Sequence, residues 1–228
     1  MPRLPGSRNK DHAATRRALA RSFAGALLDA DGEPATLDGL AKAAGVSVPT
    51  VRHYFKDRDG AFRAALHAVR EDGANRLREM ADPGERSANE CLVGLALAVT
   101  LVWRRFGLGQ VMAAGFALGI GSASRGPAYL EELLEPFLQA AEQLLVRLEQ
   151  RGSLKPIDAR GAALALLAPI LFALIHQDHL GGCRQRPLDI TAFAKSHAEM
   201  ILRGLGETSP AAVKRRRKNG RGTGRPKR

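Results

Sequence analysis

The side chains best suited to hold a polyanion cluster in and just after TLDGLAKAAGVSVPTVRHYF, Thr36 to Phe55. The run offers hydroxyls at Thr36, Ser47, Thr50 and Tyr54 and cationic or imidazole groups at Arg52 and His53, with Lys56 and Arg58 just beyond. Such groups bind by hydrogen bond and charge, and their spacing says how they are presented. Leu37, Leu40 and Ala41 fall on one face of a short helix. Gly45 follows four residues after Ala41, where a sharp helix end calls for left-handed backbone that glycine alone adopts without steric cost. Val46 then plugs the core under the turn. Ser47 suits the N-cap of a second helix, and Pro49 suits a first turn where its missing N–H costs nothing. Val51 and Phe55, four apart, point inward. Val48, Pro49, Thr50, Arg52 and His53 are left on or near the outer face at the helix start, the part of a recognition helix that reaches base edges in the major groove. Two short helices joined by a glycine turn also occur in proteins that never touch DNA, so the elements around this pair matter.

No strand-like alternation persists in the chain, whereas apolar residues recur at spacings of three and four throughout, so the fold class is all-α. The first helix is expected from about Asp11 to Asp29, with Ala14, Leu19, Phe23, Ala26 and Leu27 as its inner stripe. Asp31 to Pro34 break it. Short helices start near Thr36 and Ser47, and a long one runs from about Arg58 to Ala81 before the stop Asp82-Pro83-Gly84. Five more are expected at about Ser87–Phe106, Leu108–Ala123, Pro127–Arg151, Asp158–Leu180 and Leu188–Leu205, making about nine helices. The third of these carries a broad apolar face from Leu130 to Leu148. The fourth is apolar almost all round, which suits a helix buried on several sides, within the core or between subunits.

The division that follows is a basic, flexible arm over 1–10, a helix-turn-helix domain over 11–70 with its motif at 36–55, a helical bundle over 71–206 and a disordered basic tail over 207–228. Charge supports the two ends. Of the net +12, residues 211–228 hold nine Lys or Arg and no acid, and residues 1–21 hold six with one Asp, leaving a body of net charge −2. Such arms attract nucleic acid without reading sequence, because neutralised phosphates release counterions, or they serve as solvated tails that aid solubility. The longest purely apolar stretch, Ala162 to Ile175, is shorter than the ~20 residues of a membrane span and contains Pro169. No apolar core follows the basic N-terminus, so no secretory signal is read, and a cytoplasmic protein with no membrane partner is expected. Cys91 and Cys183 lie far apart without metal-site neighbours, so neither a disulfide nor a zinc framework is expected.

The segment over roughly residues 10–70 resembles the tetracycline-repressor (TetR) family of bacterial regulators. The resemblance rests on Thr36 opening the second helix, Ala41 and Gly45 spaced by four, the Gly45-Val46-Ser47 turn, His53-Tyr54-Phe55 closing the recognition helix, the link Lys56-Asp57, and Arg58-Asp59 opening the fourth helix. It implies a double-stranded, palindromic operator bound by a homodimer, and repression relieved by a small molecule. It further implies that Thr36 caps its helix and touches a phosphate, as helix N-termini favour anions. Ser47, Thr50 and Tyr54 would add phosphate or base contacts, and Lys56 backbone charge. Arg52 stands where the family usually has a tyrosine, and Arg58 where it usually has a lysine. Arg58 can keep a phosphate contact, and Arg52 could instead reach a guanine as a bidentate donor.

For the second domain the resemblance is looser. It runs through Arg151–Pro156, Asp158, the apolar helix with Pro169 and the start Arg186-Pro187-Leu188-Asp189 of the last helix. It implies dimerisation through about 158–205, with Pro169, Phe172, His176, Phe193, His197 and Ile201 in the interface. The spacing of Ile190, Phe193, Ala194, His197 and Ile201 independently makes an apolar stripe. Trp103, Phe106, Met112, Phe116 and Phe137 could line a mostly apolar ligand pocket or be ordinary core. His176 and His179, three apart, lack the third and fourth ligands of a stable metal site, and neither metal nor cofactor is expected.

In the tail, Lys214, Arg215, Arg216, Arg217, Lys218 and Arg225 are candidates for non-specific DNA contacts. The ending resembles an AT-hook, with Thr223 in place of its first Arg, so a minor-groove arm is the alternative. The competing function is an architectural, sequence-tolerant DNA-binding protein using the basic arms. An enzyme is disfavoured, since the sequence holds no Gly-rich phosphate loop, no G-x-S-x-G elbow and no His/Glu metal motif.

Overall fold

The structure, a computed structural model, describes residues 7–28 and 33–206, with side chains from Asp11 onward. The basic tail, with all six of its candidate DNA contacts, and the first six residues of the arm lie outside the described residues. By their contacts these fall into two compact units, residues up to Asn75 with Trp103–Pro136, and Arg76–Val102 with Phe137 onward. The regular structure among the described residues is helical, apart from one isolated bridge between Leu28 and Pro34.

In the first unit, α1 spans Ser7–Ala24, α2 Leu37–Ala43 and α3 Val48–Phe55, and α4 starts at Arg58 and runs to Ala81. The first helix therefore begins and ends earlier than expected, so residues 7–10, assigned to the arm, are helical. Ala14 is exposed, not part of the inner stripe, and burial starts at Leu19. Phe23 is fully buried and meets the Phe55 ring edge-on at 5.0 Å, which ties α1 to α3. Leu40, Ala41, Val51, Ala61, Phe62, Ala65 and Leu66 complete this small core. Burying its aromatic and branched side chains stabilises it by ~1.5–3 kcal/mol apiece.

The rest of this unit includes α6, Leu108–Gly119, α7, Arg125–Tyr129, and a π-helical turn over Leu130–Leu134. Gly115 lets α6 and α7 approach closely, because a Cβ there would lie 2.2 Å from the Tyr129 ring. The π turn brings Glu131 and Glu132 to α4. Arg63 meets Glu131 at 2.7 Å, and Glu132, nearly buried, faces His67 at 3.0 Å and Arg70 at 3.3 Å.

In the second unit, α5 (Ala88–Arg105, through Val102) and α8 (Glu135–Gln150, from Phe137) contribute Leu92, Leu95, Ala96, Leu144, Leu145 and Leu148 to the core. There α9 spans Ala159–Asp178, α10 Gly182–Gln185 and α11 Ile190–Leu205. Asp158 and Asp189 cap α9 and α11, accepting from Gly161 N at 3.1 Å and Ala192 N at 3.0 Å. Buried Gln177 ties the end of α9 to the chain before α11, donating to Arg186 O at 3.1 Å and accepting from Leu188 N at 3.0 Å. By length and composition α9 could cross a membrane. The apolar stretch inside it is shorter because the helix extends from its Asp158 cap to Asp178, and its Leu166, Leu167, Ile170 and Leu174 are fully buried. The all-α class stands, with eleven α-helices among the described residues instead of about nine, because α10 is added and the helix expected at Pro127–Arg151 is divided by the π turn.

Candidate nucleic-acid interface

The candidate interface is built by two helix caps and one turn. Thr36, with extended backbone, accepts from Gly39 N through Oγ1 at 3.0 Å and fixes the start of α2. Gly45 has φ +65° and Val46 N donates to Ala41 O at 3.0 Å, so the chain leaves α2 as its residue types predict. Ser47 then opens α3, its Oγ accepting from Thr50 N at 3.3 Å and sharing a hydrogen bond of 2.8 Å with Thr50 Oγ1. Each such cap contributes ~1 kcal/mol. Val51 and Phe55 anchor α3 from beneath, 0% and 4% exposed. On its outer side Pro49, Arg52 and His53 are exposed, and Val48, Thr50 and Tyr54 are half-buried.

Lys56, just past α3, is the one non-glycine residue among those described with positive φ, 67° with ψ −62°. Asp57 N donates to Phe55 O at 2.8 Å, closing a tight turn about Lys56 that leaves its side chain exposed. Asp57 then caps α4, accepting from Gly60 N at 2.8 Å. A strained backbone of this kind costs ~1–3 kcal/mol and persists where surrounding structure holds it. Nothing in the sequence flagged it, since lysine carries no preference for that region. Arg58 is half-buried in the first turn of α4. Next to it, hydrogen bonds from Ser124 Oγ and from Arg125 Nε, the latter at 2.8 Å, hold the Asp59 carboxyl below its ordinary range.

Sequence reasoning missed a contribution from α1. Its exposed His12 packs on the Tyr54 ring at 4.6 Å, and Arg16, one turn on, lies over the Phe55 ring at 5.2 Å. The spacing of His12 and Arg16 by four in the basic N-terminal stretch was the available signal. The exposed ammonium of Lys42 on α2 is paired with Asp38 at 2.7 Å.

The five pocket candidates are not all brought together. Trp103 and Met112 are buried, and Met112 accepts from Tyr129 Oη through Sδ at 3.6 Å. Phe116 lies against the Tyr129 ring at 5.2 Å. Phe106 is 55% exposed, and Phe137 belongs to the second unit. There, Phe172 is exposed, Pro169, His176, Phe193 and Ile201 are half-buried, and His197 is buried with its Nε2 donating to Ala165 O at 3.0 Å. His197 thus has a partner within its own chain. On α9, Leu164, Ala165, Ala168 and Phe172 are exposed and make an apolar outer side, whereas on α11 exposed Met200 lies among Lys195, Ser196 and Arg203.

No protein-family model matches the chain, and no curated protein is detectably similar in sequence. Solved structures do match. A TetR-family transcriptional regulator from Mesorhizobium loti superposes with TM-score 0.67 at 18% identity, covering 86% of this chain and 98% of that one. A transcriptional regulator from Rhodococcus sp. RHA1 gives 0.67 at 22% identity, over 85% and 99%. The regulator FadR from Bacillus subtilis, in complex with stearoyl-CoA, gives 0.61 at 17% identity, over 81% and 96%. The chain therefore has the TetR-type fold over most of its length.

Proposed function

We propose that this protein is a DNA-binding transcriptional regulator of the TetR type that binds a palindromic operator as a homodimer. The observation that carries the reading is α3 itself. Its inner side is fixed by Val51 and Phe55, its start by the Ser47 cap, and its outer side presents Pro49, Thr50, Arg52 and His53. In this reading Thr36, Ser47, Tyr54, Lys56 and Arg58 hold the phosphate backbone, and Val48, Pro49, Thr50, Arg52 and His53 meet base edges. Two copies are required, because one head of this size gains affinity by being placed about one duplex turn from another. The apolar outer side of α9, with Leu164 41% and Phe172 66% exposed, supports association there. Repression, a cytoplasmic site of action and the absence of enzymatic activity belong to the same proposal.

A small-molecule effector is the next part of the reading. The Bacillus subtilis FadR structure holds stearoyl-CoA, which supports an effector class without naming the compound for this chain. Met112 and Phe116 around Tyr129 are the residues we assign to such a site. Any effector must prefer one spacing of the two recognition helices over another, since a ligand shifts an equilibrium only by its differential affinity.

The test is selection of duplexes from a randomised pool by the full-length protein at ~150 mM salt, where non-specific attraction is weakened. Enrichment of a two-fold symmetric sequence is expected. A second reading, an architectural binder, draws on the concentration of positive charge at the two ends of the chain. Retention of DNA without enrichment of any sequence would favour it and overturn the first.

A further inference from the structure

Three rings from two helices converge beside the candidate interface. The centroids of His12 and Tyr54 are 4.6 Å apart, those of His53 and Tyr54 5.0 Å, and those of His12 and His53 5.8 Å, the last pair edge to face at 76°. His12 and His53 are exposed. The core has no need of this cluster, because Phe23 and Phe55 already join α1 to α3 at 5.0 Å and the buried part of α1 starts at Leu19.

We propose that His12 belongs to the DNA-contact surface and that, with His53, it makes DNA binding proton-linked, tightening as pH falls. The proposal rests on the reading of α3 as a recognition helix. Histidine is the side chain whose ordinary charge change falls between pH 5 and 8. A protonated imidazole gains from lying against a tyrosine face and from a facing phosphate. In the free protein two charged imidazoles this close repel one another. The surrounding helices add further charge, from Asp11 and Arg16 on α1, Arg52 on α3, Lys56 and Asp57 after it, and the Asp38–Lys42 pair on α2. A phosphate brought to this surface by DNA favours the charged form of the pair.

The sign follows from linkage. Because DNA favours the protonated pair, protonation must favour DNA equally, so binding tightens as pH falls and weakens as it rises. The same thermodynamics lets each proton taken up change affinity by up to about tenfold per pH unit where the pair titrates.

The experiment uses full-length protein and the duplex it enriches from a randomised pool, titrated at pH 6.0 and pH 7.8 at equal ionic strength. For the unaltered protein the dissociation constant is expected to fall about tenfold on acidification, and for His12→Gln by about threefold or less. The double variant His12→Gln, His53→Gln should show no remaining change. His12→Lys, charged at both pH values, should bind more tightly than His12→Gln at pH 7.8, a rescue that separates loss of charge from loss of folding. If His12→Gln retains the pH ratio of the unaltered protein, the proton link is overturned while the DNA-binding reading stands. If no duplex is enriched over scrambled DNA at either pH, both fall.

Discussion

The turn between α2 and α3 and the apolar pair α9 and α11 are organised in opposite ways. In the first, nearly every backbone feature has a local cause: Thr36 and Ser47 cap, Gly45 turns, and Val51 and Phe55 anchor. The outward side chains are then fixed by default. In the second, α9 is apolar on nearly all sides, and only packing decides that Leu167, Ile170 and Leu174 point inward while Phe172 faces outward. Single residues thus set the geometry of α3, whereas the apolar side left open on α9 is a property of the whole bundle.

The largest effect expected from this comparison is at Phe55. Phe55→Ala should cost ~3–5 kcal/mol, the usual range for a buried aromatic, and a chemical-denaturation titration should show it. A loss below ~1 kcal/mol would mean that α3 is not anchored from beneath. Phe172→Glu should leave the helical content of each subunit unchanged, because the side chain is 66% exposed in the single chain, yet convert dimer to monomer in sedimentation equilibrium and lower the melting temperature by the lost association. Persistence of the dimer would move the interface elsewhere. Ser47→Ala should destabilise by ~1 kcal/mol and Ser47→Asp should restore most of that, since either oxygen can cap. Equal losses would remove the cap from the account. The smallest effect is at Asp59, whose folded carboxyl titrates below its unfolded value. Its contribution is present above the unfolded carboxylate range and is lost as pH falls through the folded one. Asp59→Asn should flatten a small part of the acid side of the stability profile, and an unchanged acid limb would show that the Ser124 and Arg125 contacts carry no net stability.

The same contrast explains how much could be read in advance. The caps, the Gly45 turn, the bounds of α4 and the inner positions of α3 were legible because each depends on a few neighbouring residues. The start of α1 at Ser7 was not, since residues 7–12 include no apolar side chain and so carry no apolar period. The positive φ of Lys56 was hidden because it is imposed by the Phe55–Asp57 hydrogen bond and the Asp57 cap, not by the residue itself. The π turn over Leu130–Leu134 lies in a sequence of Leu and Glu that suits an α-helix equally well. Grouping Trp103–Pro136 with the N-terminal residues depends on contacts such as Arg63 to Glu131 and Arg125 to Asp59, distant in sequence, which no local pattern announces. His12 was missed although its spacing of four from Arg16 was there to be read, because its contact with Tyr54 is distant in sequence.

The most direct measurement is a pair of dissociation constants for the full-length protein at ~150 mM salt, one for the duplex it enriches and one for a scrambled duplex, repeated with Arg52→Ala. The account predicts a ratio of ~10³ or more for the unaltered protein, typical of regulators. It also predicts a ~1–3 kcal/mol loss of discrimination at one base pair of each half-site in the variant. Equal affinities for the two duplexes would contradict it.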